Sequence, residues 1–263
     1  MDPFGLAGQH VLVTGASGGI GKVAVKAFLD LQCKVSAQFG SNATSLDDLA
    51  CDRLFLKGVD VLSEDSVTDF YASAASKFGR VHVLILNHGL FKAEDVSIAE
   101  MELAQFQNTI GINLTGSFLF AKHFLRQVSG DSPIPPRVVI TGSTAGKYGE
   151  QGHADYASSK SALQYGFLLS LKNEIVKHHP HGRANAVAPG WVSTPMATES
   201  MKNPETKYKA LRTTPMKKIA SPEDVVDSLL FLAGRCSGHI TGQCVMVEGG
   251  MEGRVLNSKE DLA

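Results

Sequence analysis

His10-Val11-Leu12-Val13-Thr14-Gly15-Ala16-Ser17-Gly18-Gly19-Ile20-Gly21 is an apolar run that breaks into a glycine-rich turn. A strand over His10–Thr14 that turns on glycines into a helix reaching about Leu31 is the opening of a βαβ unit. Such a turn lets backbone N–H groups approach a pyrophosphate, and the helix N-terminus adds partial positive charge. The spacing is G-x-x-x-G-x-G, not G-x-G-x-x-G, so taken alone the turn also fits a merely flexible connection.

The β-α alternation continues outward from this unit. Lys34–Gln38 is strand-like, and Leu54–Leu56 starts a third strand that ends at Val59-Asp60. Ser63–Phe78 reads as a helix with Ser63 at its N-cap. Val81–Leu86 is a nearly continuous apolar run, as in a parallel strand covered on both faces. Ser97 and Glu100 have capping-box spacing and predict the start of another helix. Asn113–Val128 and Asp155–Lys177 read as helices, Arg137–Thr141 and Arg183–Ala188 as strands. Ser221-Pro222-Glu223-Asp224 sets an N-cap, a first-turn proline and acidic residues ahead of a helix through Ala233, and Gln243–Val247 is the last strand. The predicted fold class is α/β: a doubly wound parallel sheet of about seven strands with helices on both faces, in one domain over 1–263. Pro195–Met216 is a long excursion beyond a strand's carboxyl end, and physics alone leaves open whether it is a lid or a surface loop.

Composition narrows the function classes. Apolar residues make up 43% of the 263, which excludes a disordered chain. A net charge of −1 gives no reason to expect nucleic acid or an anionic membrane as partner. Cys33, Cys51, Cys236 and Cys244 are scattered without C-x-x-C spacing, so they read as reduced, mostly buried thiols; no metal site is expected. No basic leader with an apolar core stands at the N-terminus, and no run approaches the ~18 apolar residues of a membrane span. The expected compartment is the cytoplasm.

Tyr156 and Lys160 stand four residues apart, on one face of their helix. An ammonium there is expected to lower the phenol from its reference pKa of about 10. Ser143 lies thirteen residues before Tyr156, after Val138-Val139-Ile140, where its hydroxyl would hold a carbonyl oxygen beside the phenol. Y-x-x-x-K alone also describes a surface tyrosine near a surface lysine.

The order and spacing of several motifs settle that ambiguity. Thr14–Gly21, Asp60-Val61, Asn87-His88-Gly89, Asn113, Ser143, Tyr156-Ala157-Ser158-Ser159-Lys160, Pro189-Gly190-Trp191-Val192-Ser193-Thr194 and Ile240-Thr241-Gly242-Gln243 together resemble the short-chain dehydrogenase/reductase family, including its 3-oxoacyl-acyl-carrier-protein reductase-like members. The resemblance spans nearly the whole chain. It implies that Gly15, Ser17, Gly19, Ile20 and Gly21 hold a pyrophosphate. Asp60 and Val61 would flank the adenine, Asn87 and Gly89 the adenosine ribose, and Pro189, Gly190, Val192 and Thr194 the nicotinamide. Tyr156 would be the general acid or base, Lys160 would tune it and bond the nicotinamide ribose, Ser143 would polarise the carbonyl, and Asn113 would hold a water that relays protons to Lys160. Asn113 also fits a helix-kink asparagine. Thr144 reads as structural. The sequence departs from the family's N-A-G at His88, which reads as a strand-end packing residue or a substrate-side group.

The second strand ends in Gln38-Phe39-Gly40-Ser41-Asn42, with no carboxylate to repel a 2′-phosphate; Asp47 and Asp48 lie further along. Ser41 and Asn42 can donate to phosphate oxygens, so NADP(H) is expected over NAD(H). Phe91, Tyr148, Trp191, Met196, Met201 and Met216 would form an apolar wall, with no arginine cluster for an anionic tail. The expected substrate is a neutral, moderately apolar ketone or secondary alcohol, and a 3-oxoacyl thioester stays open. Three rivals remain: an enzyme of this fold with a non-redox net reaction (cyclase, dehydratase or epimerase), a non-catalytic NADP-sensing protein, and an alcohol oxidiser working in the reverse direction. The resemblance also implies a homo-oligomer, tetramer or dimer, through Phe118, Phe120, Phe124, Leu163, Phe167 and Leu171. The terminal segment from Leu256 reads either as loose or as covering a neighbouring subunit's cleft.

Overall fold

The structure is a computed structural model that describes residues 2–195, 197, 201–202, 204–251 and 255–262. Met196 lies outside the described residues. The elements run β1 (His10–Val13), α1 (Gly19–Asp30), β2 (Lys34–Phe39), β3 (Leu54–Gly58), α2 (Glu64–Phe78), β4 (Val83–Leu86), α3 (Leu103–Ile110), α4 (Gly116–Gln127) and β5 (Arg137–Thr141). There follow α5 (Ala145–Tyr148), α6 (Ala154–Ser161), α7 (Leu168–His178), β6 (Arg183–Pro189), α8 (Pro204–Leu211), α9 (Pro222–Ala233) and β7 (Cys244–Val247). The seven strands form one sheet in the order β3-β2-β1-β4-β5-β6-β7, with every pairing parallel.

Strand alternation divides the core between the two faces of the sheet. Val11, Val13, Val83, Ile85 and Val139 point to one face and pack with Ala24, Val25 and Phe28 of α1 and Val225, Val226 and Leu229 of α9. Leu12, Leu84, Leu86, Val138 and Ile140 point to the other and pack with Phe70 of α2, Phe120 and Phe124 of α4, and Leu171 and Ile175 of α7. Each fully buried Leu or Phe contributes roughly 2 kcal/mol. Burial on both faces is why these strands read as unbroken apolar runs.

The expected caps form. Ser63 Oγ accepts from Ser66 N at 3.2 Å, and Ser221 and Asp224 make a reciprocal capping box ahead of α9. Each such cap is worth about 1 kcal/mol. The helix expected from Ser97 does not form there: Glu100 N bonds Ser97 O at 3.0 Å and closes a single turn. The helix starts instead at Leu103, with Glu102 at its N-cap in extended backbone. It continues through a π-helical turn over Gly111–Thr115 into α4, so Asn113 sits inside a helix, not at its start. A second π-turn, Ala162–Phe167, joins α6 to α7. Among the described residues no helix is long and apolar enough to cross a membrane.

Candidate active site

The strand order reverses between β1 and β4, which opens a crevice at their carboxyl ends. The glycine turn crosses this point. Gly15 has φ +61, and a Cβ there would stand 2.6 Å from His88 Cα, so only glycine allows β1 and the end of β4 to approach this closely. Gln38 fixes the turn: its Oε1 accepts from Gly15 N at 2.9 Å and its Nε2 donates to Val59 O at 3.1 Å. Asn87 Nδ2 donates to the Thr14 and Gly15 carbonyls, both at 3.2 Å. Gly18 stands at the N-cap of α1 and offers no side chain to cap it, and Ile20 of its first turn lines the crevice. An uncapped helix terminus and bare glycine backbone beside a cleft fit a dinucleotide's pyrophosphate. Where the chain leaves β6, Thr194 and Pro195 rest on this same turn: a Cβ at Gly19 would meet Thr194 Cγ2 at 2.7 Å and Pro195 Cδ at 3.1 Å.

Ser143, Tyr156 and Lys160 line one cavity of about 330 Å³ together with Asn87, Gly89, Pro189, Gly190, Val192 and Thr194. Ser41, Asn42, Asp60 and Val61 lie outside its walls, at or beyond the carboxyl ends of β2 and β3. The Asn42 carboxamide oxygen accepts from Thr44 N at 2.8 Å, and Asp60 Oδ1 accepts from Leu62 N at 2.9 Å. The Asp48 carboxylate pairs at 2.8 Å with Lys22 on α1.

Lys160 is buried and donates to Thr141 O at 2.8 Å, with its Nζ 5.7 Å from the Tyr156 ring centroid. The four-residue spacing does bring them together, but the expected lowering of the phenol is absent. Burial pushes Tyr156 up to about 12; a hydrogen bond from the Ser143 hydroxyl opposes this, and the Glu150 carboxylate adds to it. Burial likewise pulls Lys160 down to about 8. Desolvation is the leading cause at both groups. The Tyr156 ring keeps one side open to the cleft, so whatever occupies the cleft tempers its displacement.

Asn113 is fully buried with its amide engaged. Its Oδ1 accepts from Leu90 N at 2.6 Å, while Nδ2 donates to Leu90 O at 3.1 Å and to Ser159 Oγ at 2.9 Å. It ties the segment after β4 to the helix carrying Tyr156 and Lys160. Gln164, inconspicuous in the sequence, is equally important to the architecture: its Oε1 accepts from Ser143 N at 2.8 Å, and Cβ atoms on Gly142 or Gly146 would collide with its side chain. Those two glycines are the only signal in the sequence of a side chain wedged between β5 and α6.

His88 does not line the cavity. Its ring is buried, 5.7 Å from the Phe120 ring, with Nε2–H donating to Ile112 O at 3.1 Å and Nδ1 facing Thr14 Oγ1 at 2.8 Å. A Cβ on Gly116 would stand 2.9 Å from Nε2, so the histidine depends on that glycine. Burial and the nearby Lys160 charge hold its pKa near 4. His88 is therefore the strand-end packing residue of the two readings.

Phe91, Tyr148 and Trp191 form the apolar wall as expected, and Met251 joins them. Met216 instead lines a second cavity of about 400 Å³ on the far side of Trp191. Met201 lines neither cavity, and Met196 lies outside the described residues. The excursion after β6 is gathered at its neck, where Val192 bridges Ala220 and Ser193 N donates to Ala220 O at 2.8 Å. The terminal segment docks on its own chain: Asn257 Nδ2 donates to the Leu211 and Thr214 carbonyls at 2.8 and 2.9 Å.

Comparison with known proteins agrees with this geometry. Residues 15–252 match a family model described as enoyl-(acyl carrier protein) reductase. A 3-oxoacyl-[acyl-carrier-protein] reductase of Synechocystis sp. is 32% identical over 257 residues, covering 94% of this chain and 98% of the relative. One from Thermotoga maritima is 30% identical over 256 residues with the same coverage of each. A crystal structure from Brucella melitensis, described as a short-chain dehydrogenase/reductase and glucose/ribitol dehydrogenase, superposes with a TM-score of 0.84 at 27% identity, over 94% of this chain and 98% of the other. Sequence, sheet order and relatives agree: the chain belongs to the short-chain dehydrogenase/reductase family of oxidoreductases.

Proposed function

We propose that the protein is an NADP(H)-dependent oxidoreductase that interconverts a carbonyl compound and its secondary alcohol. The observation that carries this reading is the meeting of Ser143, Tyr156 and Lys160 on one wall of a cleft that continues to the glycine turn. A bound nicotinamide supplies or accepts the hydride. Ser143 donates a hydrogen bond to the substrate oxygen, and Tyr156 gives that oxygen its proton. A phenol held high parts with its proton only to a stronger base, and an oxygen gaining alkoxide character is one. Lys160, with a pKa near 8, stays mostly protonated at pH 7 and stabilises the phenolate left behind. Asn113 works by position, holding Leu90 and Ser159 so that Lys160 stays aimed at the cleft.

The preference for NADP(H) rests on Ser41 and Asn42 at the end of β2, where no carboxylate stands. Hydrogen bonds to a charged 2′-phosphate are worth about 1.5–3 kcal/mol, so kcat/KM with NADPH should exceed that with NADH by at least about tenfold. Equal or better turnover with NADH would end this preference. A panel of neutral ketones followed by nicotinamide absorbance tests the activity itself: steady NADPH consumption is expected, and none with any ketone would remove the reading.

Several broader expectations belong to the same proposal. Two cores sharing one sheet support a single domain over 1–263 with a lid near 195–216. Four unpaired thiols suit the reducing cytoplasm, though most are not buried as expected: Cys33 alone is, while Cys51 and Cys236 are exposed and Cys244 half-buried. For a homo-oligomer the apolar surface is narrower than the sequence suggests. Phe120, Phe124, Leu163 and Leu171 are buried in the core and Phe167 partly so. Phe118 on α4 remains exposed, as do Tyr165 and Leu169 one turn apart where the second π-turn runs into α7, and they offer a face for a partner subunit.

A further inference from the structure

Besides Lys160, the cleft wall carries a second charged group that the proposed reaction does not use. Glu150 sits in the turn between α5 and α6, which His153 N closes by donating to Glu150 O at 3.2 Å. Among the described residues its carboxylate accepts no hydrogen bond. The His153 beside it is already paired: its Nε2 lies 2.9 Å from Asp95 Oδ1, with its ring 4.6 Å from Phe91 at a tilted angle. Lys147 turns away to the Tyr148 ring at 4.9 Å. Burial pushes the Glu150 carboxyl up, the His153 beside it working against this and Asp95 with it. A half-buried carboxylate without a donor is costly, and a cleft ligand that brings a donor recovers that cost.

The other walls define the rest of the ligand. Phe91 meets the Tyr156 ring edge-on at 5.0 Å, and Tyr148 and Trp191 stand across the cavity. We propose that Glu150 is the specificity-determining residue of this cleft, and that the substrate is a ring-bearing carbonyl compound with a hydroxyl or amino group that donates to its carboxylate. Carboxylate-bearing ketones are correspondingly rejected by like-charge repulsion. This rests on the oxidoreductase reading above and narrows its substrate class.

The test compares acetophenones and cyclohexanones that carry a hydroxyl, methoxy, aminomethyl or carboxylate group remote from the carbonyl. Each is assayed for NADPH consumption and, independently, for binding by titration calorimetry, with the native protein, Glu150→Gln and Glu150→Leu. The native protein should favour hydroxyl and aminomethyl over methoxy compounds by about tenfold or more, with the carboxylates last. Glu150→Gln, which keeps shape and hydrogen bonding, should retain the hydroxyl preference and admit the carboxylates at least about tenfold better. Glu150→Leu should erase the hydroxyl preference. Unchanged ratios in Glu150→Leu would overturn the inference, as would native protein that turns over or binds the series without discrimination. Discrimination in binding without any NADPH consumption would support Glu150 while sinking the redox reading. Absence of both binding and turnover across the series would overturn both.

Discussion

Tyr156→Phe should lower kcat for ketone reduction by about 10²–10⁴-fold while leaving the dinucleotide's Kd within about threefold of native. The substitution removes one oxygen. The ring keeps its edge contact with Phe91 at 5.0 Å, and Lys160 keeps its bond to the Thr141 carbonyl, so the cavity retains its shape. What disappears is the proton that meets the substrate oxygen. Fluorescence titration with NADPH separates binding from turnover. A variant that reduces ketones at more than about a tenth of the native rate would assign the proton to another group.

Acidification should destabilise the protein steeply between about pH 6.5 and 4. His10 and His88 are both buried, and each is held near pKa 4, against about 6.5 when unfolded. Burial is the main cause at both. Their tautomers follow from their partners: His10 Nδ1–H donates to Gly79 O at 2.8 Å with Nε2 facing Ser36 Oγ, and His88 Nε2–H donates to Ile112 O. The folded pKa is depressed, so between pH 6.5 and 4 the unfolded chain binds more protons than the folded one. Stability is full above about 6.5 and is lost as pH falls through that window, by roughly 3 kcal/mol for each imidazole. The raised carboxyl of Glu150 offsets a smaller part. Thermal melts from pH 7 to 4 should show a steep decline, shallower in His88→Ala. A Tm that is flat between pH 6.5 and 4.5 would refute this.

Much of the architecture could be read in the sequence because parallel strands buried on both faces leave an unbroken apolar signature. Arg137–Thr141 lies where the run of β-branched residues put it, and the Ser221–Asp224 cap begins α9 as its chemistry required. The π-turns escaped notice because one extra residue in a helical turn leaves the apolar pattern nearly intact; what fixes them lies elsewhere in the chain, such as Leu90 clamping Asn113. Gln164 read as one more polar residue on a helix, yet it is 1% exposed and holds the Ser143 backbone. His88 could be flagged as unusual, but its fate depended on Gly116, distant in the chain and close in space. The Tyr156–Lys160 spacing gave proximity correctly but the direction of the phenol's pKa shift incorrectly, because spacing carries no information about desolvation.

The resting of Thr194 and Pro195 on Gly19 has a kinetic consequence. Thr194 also borders the cleft, so one hinge of chain governs traffic to both ligands. On the proposed reading, the nucleotide should settle beneath it before the ketone arrives and stay until the alcohol departs. Steady-state velocities should therefore follow a compulsory-order scheme: NADP⁺ competes with NADPH, whereas the product alcohol inhibits noncompetitively against it. Competition between alcohol and NADPH would mean that the hinge admits its two guests independently.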